Sequence, residues 1–487
     1  MLHLILLHLI PDSASHWHIL VSVFPSVGLI FLIGFYVTAI IADNEGMKRT
    51  CLVVFAILGL LAIPTYMSGD GSYDVLSENT AISQDQMDKM DSHYGWGVTA
   101  LGLIVLTGLA ALIALLWRWF RSAPRVSDNS VHLVLGLGII TFAMMIVAGE
   151  GGWEINHREL LVSVPPELSN VATPQTWSHV HMILNHIPTV GFTFALGFYI
   201  VALVIDNVVM KRSSLILFVI CAIFCVPTYV TGAASMWALT QPPMPGISKG
   251  LINAHRDMAL LTLFGVAFTG GAAWLELWRS RYTVRLSQIS LYVVLALALI
   301  TFGVMAETGH RGGQINHPEI RVAADENPII EAPNQDAGWW TPRIEKLINN
   351  VIFFVPWQTV HFFGYSLIFG AVLAVALRVL GFWKSLPFSA VHRLLPIGFF
   401  GVMMNVFTGM MMMMADTYRY VVTDTTFAPK MAFIPIGVIA ILYFSVSDSV
   451  WNVKAGEDAP LSAKWVASLV LLAWTGVIMG GRLLPYV

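Results

Sequence analysis

Charged residues are scarce in this chain. Lys, Arg, Asp and Glu make up 11% of its 487 residues, where a soluble domain carries about 25%. Hydrophobic residues fill 56%. A balance so far from the soluble average excludes an ordinary water-soluble globule. The net charge of −3 leaves no basic surface for nucleic acid. Cysteine is rare too. Cys51, Cys221 and Cys225 all fall in or at the edge of apolar runs, which excludes a disulfide framework. None belongs to a CxxCH motif, so covalent c-type haem is not indicated. Carboxylates are almost missing from the apolar runs. That counts against a transporter or metal permease, because ion-coupled transport needs ionisable groups at membrane depth. No nucleotide or Fe–S motif is present.

What the chain has instead is apolar length. A helix needs about 20 apolar residues to cross a hydrocarbon core of ~30 Å. About twelve runs qualify: 18–42, 50–68, 95–117, 130–149, 181–205, 213–233, 257–277, 288–306, 357–382, 393–413, 431–449 and 464–483. The expected fold is an all-α polytopic membrane protein. The first ten residues, MLHLILLHLI, are apolar but short and lack a basic flank, so they do not read as a cleaved signal peptide. Loops after odd-numbered runs are short and basic, with Lys48 and Arg49, Arg118, Arg121 and Arg125, Lys211 and Arg212, then Arg279, Arg281 and Arg285. Loops after even-numbered runs are longer and acidic. The positive-inside rule then places both termini on the periplasmic side of a bacterial cytoplasmic membrane. Trp17, Trp117, Trp278, Trp357 and Trp451 near run ends fit interfacial anchors.

The chain also repeats itself. SHWHILVSVFPSVGLIFLIGFYVTAIIADN (Ser15–Asn44) aligns without a gap on SHVHMILNHIPTVGFTFALGFYIVALVIDN (Ser178–Asn207), with 13 of 30 positions identical. The match runs on through Pro64-Thr65-Tyr66 and Pro227-Thr228-Tyr229, through His93 and His255, and ends in GGWEINH (Gly151–His157) and RGGQINH (Arg311–His317). Four helices per copy is an even number, so the copies share one orientation. They form a parallel repeat rather than an inverted one. The expected organisation is three four-helix bundles: repeat 1 over 1–165, repeat 2 over 166–325, and a different third unit over 326–487 that begins with a linker. In that linker Pro328, Pro333, Trp339, Trp340 and Pro342 suit packing on the membrane surface.

Histidine carries the chemistry. Most of the fifteen histidines fall at one membrane side, among them His16, His18, His93, His157, His179, His181, His186, His255, His310, His317 and His361. In each copy one histidine opens the first helix and another opens the third: His18 with His93, and His186 or His181 with His255. First and third helices run in the same direction, so the two imidazoles lie at similar depth. Such pairs grip b-type haem inside a bundle without covalent attachment. A histidine at a helix mouth can equally hydrogen-bond headgroups, water or a carbonyl; the recurrence of the pair is what favours a cofactor. Val23 matches His186, so a first-copy ligand must be His18 or His16. In the second copy His186 and His255 are the expected axial ligands. His181 lies near the rim, and Arg256 is placed to bond haem propionates where the first copy has Tyr94. Cys221 and Cys225 read as core packing, as does the run Met410–Met414.

The second copy resembles a family of predicted four-helix bacterial membrane domains of unassigned function. That family opens on an HPxxVHFP-like motif and closes on a GGxLVYxHG-like one. His181-Met-Ile-Leu-Asn-His186-Ile-Pro188 is similar to the opening, with Met182 in place of the first proline, and Gly312-Gly313-Gln-Ile-Asn-His317 to the closing. The first copy keeps His18 and Pro25. The stretch Thr408-Gly409, Tyr418-Arg-Tyr420, Phe427 and Lys430 more weakly resembles cytochrome-b-like and copper-resistance-type four-helix membrane domains. The expected function is a membrane electron-transfer subunit that binds haem b near the periplasmic face. Its expected partners are the lipid bilayer, other subunits of a redox complex, a periplasmic electron carrier, and quinone as an exchange partner. A cofactor-free anchor of a membrane complex is the alternative.

Overall fold

A computed structural model describes residues 11, 13–78, 83–156, 174–240, 247–317, 320–321, 340–417, 420–421 and 425–484. His157, Pro328, Pro333, Trp339, Tyr418 and the expected boundaries near 165 and 325 lie outside them. The described chain is helical: α1 Ala14–Ser22, α2 Gly28–Ile41, α3 Glu45–Ser77, α4 Gln84–Phe120, α5 Asp128–Asn156, α6 Pro174–His186, α7 Phe192–Val204, α8 Val208–Thr240, α9 Lys249–Thr283, α10 Gln288–Asn316, α11 Thr341–Ile348, α12 Val351–Leu380, α13 Phe388–His392, α14 Leu395–Ala415, α15 Phe427–Val446, α16 Asp448–Trp451 and α17 Leu461–Leu483. Among the described residues, eleven helices are long and apolar enough to cross a membrane. The chain is an all-α polytopic membrane protein.

The remaining run, 18–42, departs from the expectation of one continuous helix. It breaks between α1 and α2 at Pro25. Proline has no N–H and its ring collides with the carbonyl one turn back. The chain crosses the gap with a wide bond from Gly28 N to Val23 O at 2.9 Å. The matching Pro188 sits instead in a π-helical turn, Ile187–Gly191, that joins α6 to α7 without interruption. Pro64 and Pro227 lie inside continuous helices.

By chain contacts the protein divides into two compact units, Met1–Ser163 with Thr189–Ser214 and Ala306–Glu331, and Val164–Pro188 with Leu215–Met305 and Ala332–Val487. In the first unit, α3 packs on α1, α2 and α4, and α5 on α4 and α2. Gly59 and Gly108 let α3 and α4 touch backbone to backbone: a Cβ at Gly59 would meet the Gly108 Cα at 3.1 Å. Buried Thr107 and Thr141 share a hydrogen bond at 2.8 Å between α4 and α5. The same unit holds α7, which meets its counterpart α2 through equivalent residues. Phe35 stacks on Phe198 with centroids 4.0 Å apart, and Asn207 donates to Asn44 at 2.7 Å. Each of these asparagines caps the helix that follows it, α3 and α8. A contact between equivalent residues is self-complementary, as across a two-fold axis.

In the second unit the Thr–Thr bond recurs between Thr269 of α9 and Thr301 of α10, at 3.2 Å. α9 also packs on α14 and α15, α12 on α14 and α17, and α15 on α17. Trp274 of α9 stacks on Phe399 at 4.4 Å and donates to Ser445 Oγ at 3.0 Å. Arg281 pairs with Asp448. Fully buried His392 packs among Trp278, Tyr282, Phe388 and Trp451, with its Nδ1 3.1 Å from the Tyr282 hydroxyl. Four methionines of the 410–414 run, Met410, Met411, Met413 and Met414, are buried side chains.

Candidate functional site

The first unit brings His18 and His93 together. His18 rides on α1, where Ser13 caps the helix by accepting from His16 N. Its Nδ1 lies 3.0 Å from the Thr65 carbonyl of α3. The ring rests on Gly69, one turn further along α3, where a Cβ would fall 2.8 Å from His18 Cε1. His93 on α4 is held in the same way from the other side. Its Nδ1 lies 2.7 Å from the Ala148 carbonyl of α5, and a Cβ on Gly152 would fall 2.8 Å from its Cε1. The two ring centroids are 6.3 Å apart with planes at 78°.

The partners fix the tautomer. A carbonyl oxygen only accepts, so each Nδ1 carries a proton, and in the neutral imidazole Nε2 keeps a bare lone pair. Neither Nε2 has a hydrogen bond among the described residues. A neutral imidazole with its Nδ1–H anchored on a carbonyl is the usual form of a metal-ligating histidine. The spacing also fits. A ring nitrogen sits roughly 1.1 Å from the ring centre when C–N bonds are about 1.33 Å, and a metal–imidazole bond is about 2 Å. Two imidazoles on opposite sides of one metal atom therefore have centres roughly 6 Å apart. Among the described residues no three His, Cys, Asp or Glu side chains converge; the geometry offers a pair.

The second unit repeats half of this arrangement residue for residue. His181 Nδ1 lies 2.9 Å from the Thr228 carbonyl, and a Cβ on Gly232 would fall 2.8 Å from His181 Cε1. His181, Thr228 and Gly232 each stand 163 positions beyond His18, Thr65 and Gly69. His186, the expected inner ligand, is half-buried at the end of α6, with its ring near the backbone of Met182 and Ile183 one turn back on the same helix. His255 is half-buried near the start of α9. Arg256 pairs with Glu345 of α11, and its neighbour Asp257 accepts from Trp340 N and Thr341 N at 3.0 and 2.9 Å. These two residues therefore tie α11 to α9. In the first copy Tyr94 occupies the Arg256 position and bonds Tyr66 at 2.5 Å and Asp70 at 3.2 Å.

Two features were not anticipated from sequence. The glycines under the rings, Gly69, Gly152 and Gly232, were available as a signal in the shared PTYxxG and GxxINH strings. The stacking of His16 on His310, with centroids 5.5 Å apart, had no signal, because the two residues are not equivalent in the repeat.

Residues 178–319 match a family described as a predicted membrane protein (DUF2231). The matched segment is similar to that family over the second copy, and the description names a membrane location and no activity. No curated protein matches the chain, and no solved structure does.

Proposed function

We propose that this protein is a membrane electron-transfer subunit that holds b-type haem between His18 and His93, with a second haem gripped in the second copy from His181. The observation that carries this reading is the His18–His93 pair: centroids 6.3 Å apart, each Nδ1 on a backbone carbonyl, each ring against a glycine. Four independent elements cooperate in that placement, which exceeds what hydrogen bonding of two interfacial histidines would need. Haem bound there supplies one-electron chemistry; the chain supplies axial nitrogens, ring orientation and a low-dielectric surround, the levers that set a potential. His255 is the proposed partner of His181. In this reading the histidine side faces the periplasm, and the exchange partners are a periplasmic carrier, quinone or another subunit.

The test is the visible spectrum of the purified protein. Dithionite reduction should give the sharp α-band of low-spin bis-histidine haem, and His93→Ala should remove the first-copy part of it. Absence of any such band from protein expressed with ample haem supply would refute the reading.

A further inference from the structure

We infer that the first unit carries a site for the headgroup of an aminophospholipid, a phosphate ester bearing a primary ammonium, at the turns that join α2 to α3 and α7 to α8. A cavity of about 540 Å³ opens there, lined by Asn44, Gly46 and Arg49 of the first copy and by Ile205, Asp206 and Val208 of the second. Sites for small ligands run from roughly 300 to 1,000 Å³. The two turns are equivalent in the repeat, yet their charges are closed differently. At the first, Asp43 accepts from Lys48 Nζ at 2.8 Å and also pairs with Arg125, while Glu45 accepts from Val126 N at 3.1 Å. At the second, Asp206 pairs with Lys211 alone among the described residues, and Val208 stands where Glu45 would be. Asp206 thus holds one cation where Asp43 holds two, and Asp206 lines the cavity.

Arg49 lines the same cavity. Its Nε turns back onto its own helix, donating to the Glu45 carbonyl at 3.3 Å with the Glu45 carboxylate 3.5 Å away. The two terminal nitrogens of the fork make no hydrogen bond among the described residues. Arg49 and Asp206 form no ion pair with each other, so a ligand that meets both must carry an anion for one and a cation for the other. Net charge points the same way. Glu45 balances Arg49 and Lys211 balances Asp206, which leaves no excess charge to favour an anion over a zwitterion. A phosphate takes two parallel N–H bonds from a guanidinium. A primary ammonium has three N–H donors and takes at Asp206 the place that Arg125 holds at Asp43; a quaternary ammonium has none. Position selects the lipid among phosphate esters. The spans that include α3, α7 and α8 begin or end at these turns, which puts the cavity at the membrane–water interface. Beside it Ile41 and Val204 are 81% and 80% exposed, an apolar surface that suits acyl chains and that a water-soluble ester does not need.

The site lies at the opposite end of the helices from the histidines, and its test does not depend on haem. The full chain in detergent is titrated with palmitoyl-oleoyl phosphatidylethanolamine, phosphatidylcholine or phosphatidylglycerol, and the lipid adducts are followed by native mass spectrometry. Phosphatidylethanolamine should be retained about tenfold more tightly than phosphatidylcholine, the difference of one charge-assisted hydrogen bond. Asp206→Asn keeps a residue that tolerates the left-handed turn and should bring phosphatidylethanolamine down to the phosphatidylcholine level. Arg49→Gln should weaken both lipids about tenfold. Asp43→Asn, at the turn that Arg125 already closes, should change neither. Equal retention of the two zwitterionic lipids by the unmodified protein overturns the inference, as does an equal loss in Asp43→Asn and Asp206→Asn. Tighter retention of phosphatidylglycerol would make this an anion site and overturn it too. Displacement of the bound lipid by an equal concentration of glycerophosphoethanolamine would assign the site to a soluble ester and overturn the lipid.

Discussion

The first helices of the two copies start from nearly the same sequence and end as different structures. In the first, the run halts at Ser22 and resumes at Gly28. In the second, a π turn carries it past the matching proline. Proline breaks a helix by stranding the carbonyl that its missing N–H would have bonded, and in a membrane that carbonyl must find another donor. The carbonyl that Pro188 strands is that of Leu184; at the turn itself Cys221 on α8 adds a donor, its Sγ 3.4 Å from the Ile187 carbonyl, where the first copy has Leu58. His186 folds back on the backbone of the same turn, and its counterpart is Val23. Both residues, with apolar counterparts in the first copy, lie at the junction. The polar residues both copies share, His18 with Thr65 and His181 with Thr228, make the same contact. What duplication preserved is the place to look for a ligand.

The sharpest way to break that comparison is to remove the histidines one at a time. His18→Leu and His93→Leu should each abolish the first-copy low-spin haem, His181→Leu should abolish the second, and His186→Leu should leave the α-band amplitude within error. Loss of haem in His186→Leu with retention in His181→Leu would reverse the assignment.

That reversal would restore what sequence alone suggests. The twelve apolar runs, the repeat and the face holding the histidines are all legible because hydropathy and identity are local in the chain. The His18–His93 pair is legible because two helices of one orientation bring their mouths together. The choice between His181 and His186 is not, because it depends on which ring nitrogen meets which carbonyl on α8. Nor is the ion pair of Arg256: a guanidinium beside a candidate ligand suggests propionates, and α11 also brings Glu345 to pair with it. That encounter depends on a segment some ninety residues downstream whose docking no local pattern encodes.

A smaller effect separates ring support from ring identity. Gly69→Ala, Gly152→Ala and Gly232→Ala each place a methyl 2.8 Å from a ring Cε1, inside van der Waals contact, so the ring must tilt. The expected result is reduced haem occupancy with an overpacking cost of about 1–3 kcal/mol, read from the α-band and from thermal unfolding. Gly95→Ala, at a position with nothing within 4 Å of the added Cβ, is the control and should change neither. Equal behaviour of all four variants would reduce the ring glycines to ordinary helix residues.

Smaller again is the junction itself. Cys221→Leu makes the second copy resemble the first and leaves the Ile187 carbonyl without its thiol. A weak S–H donor is replaced by none, so the destabilisation should be about 1 kcal/mol. Amide exchange at 187–192 should rise while the haem spectrum holds. An unchanged exchange rate would mean that the π turn is sustained by other packing.

The smallest effect distinguishes the copies at the opposite end of the helices. Asp43 and Asp206 occupy equivalent turns in the left-handed region, with φ of 46° and 52°, a conformation Asp tolerates better than most residues. Asp43 accepts from Lys48 Nζ at 2.8 Å and also pairs with Arg125. Asp206 pairs with Lys211; Arg285 is the second-copy counterpart of Arg125. The hydrogen bonds from these cations hold both carboxyls below the usual carboxylate range, Asp43 through Lys48 and Arg125 and Asp206 through Lys211. A depressed folded-state pKa contributes stability that is complete above the unfolded value and disappears as pH falls through the folded one. Asp43→Asn and Asp206→Asn should therefore lower the unfolding temperature slightly at pH 7, by an amount that shrinks on acidification. Both carboxyls are solvent-exposed, so added salt should shrink it as well. Two cations against one means that the Asp43 difference should survive to lower pH than the Asp206 difference in a series of melts from pH 7 to pH 3 at low salt. If the two differences vanish together, Arg125 contributes nothing and the turns of the two copies are electrostatically alike.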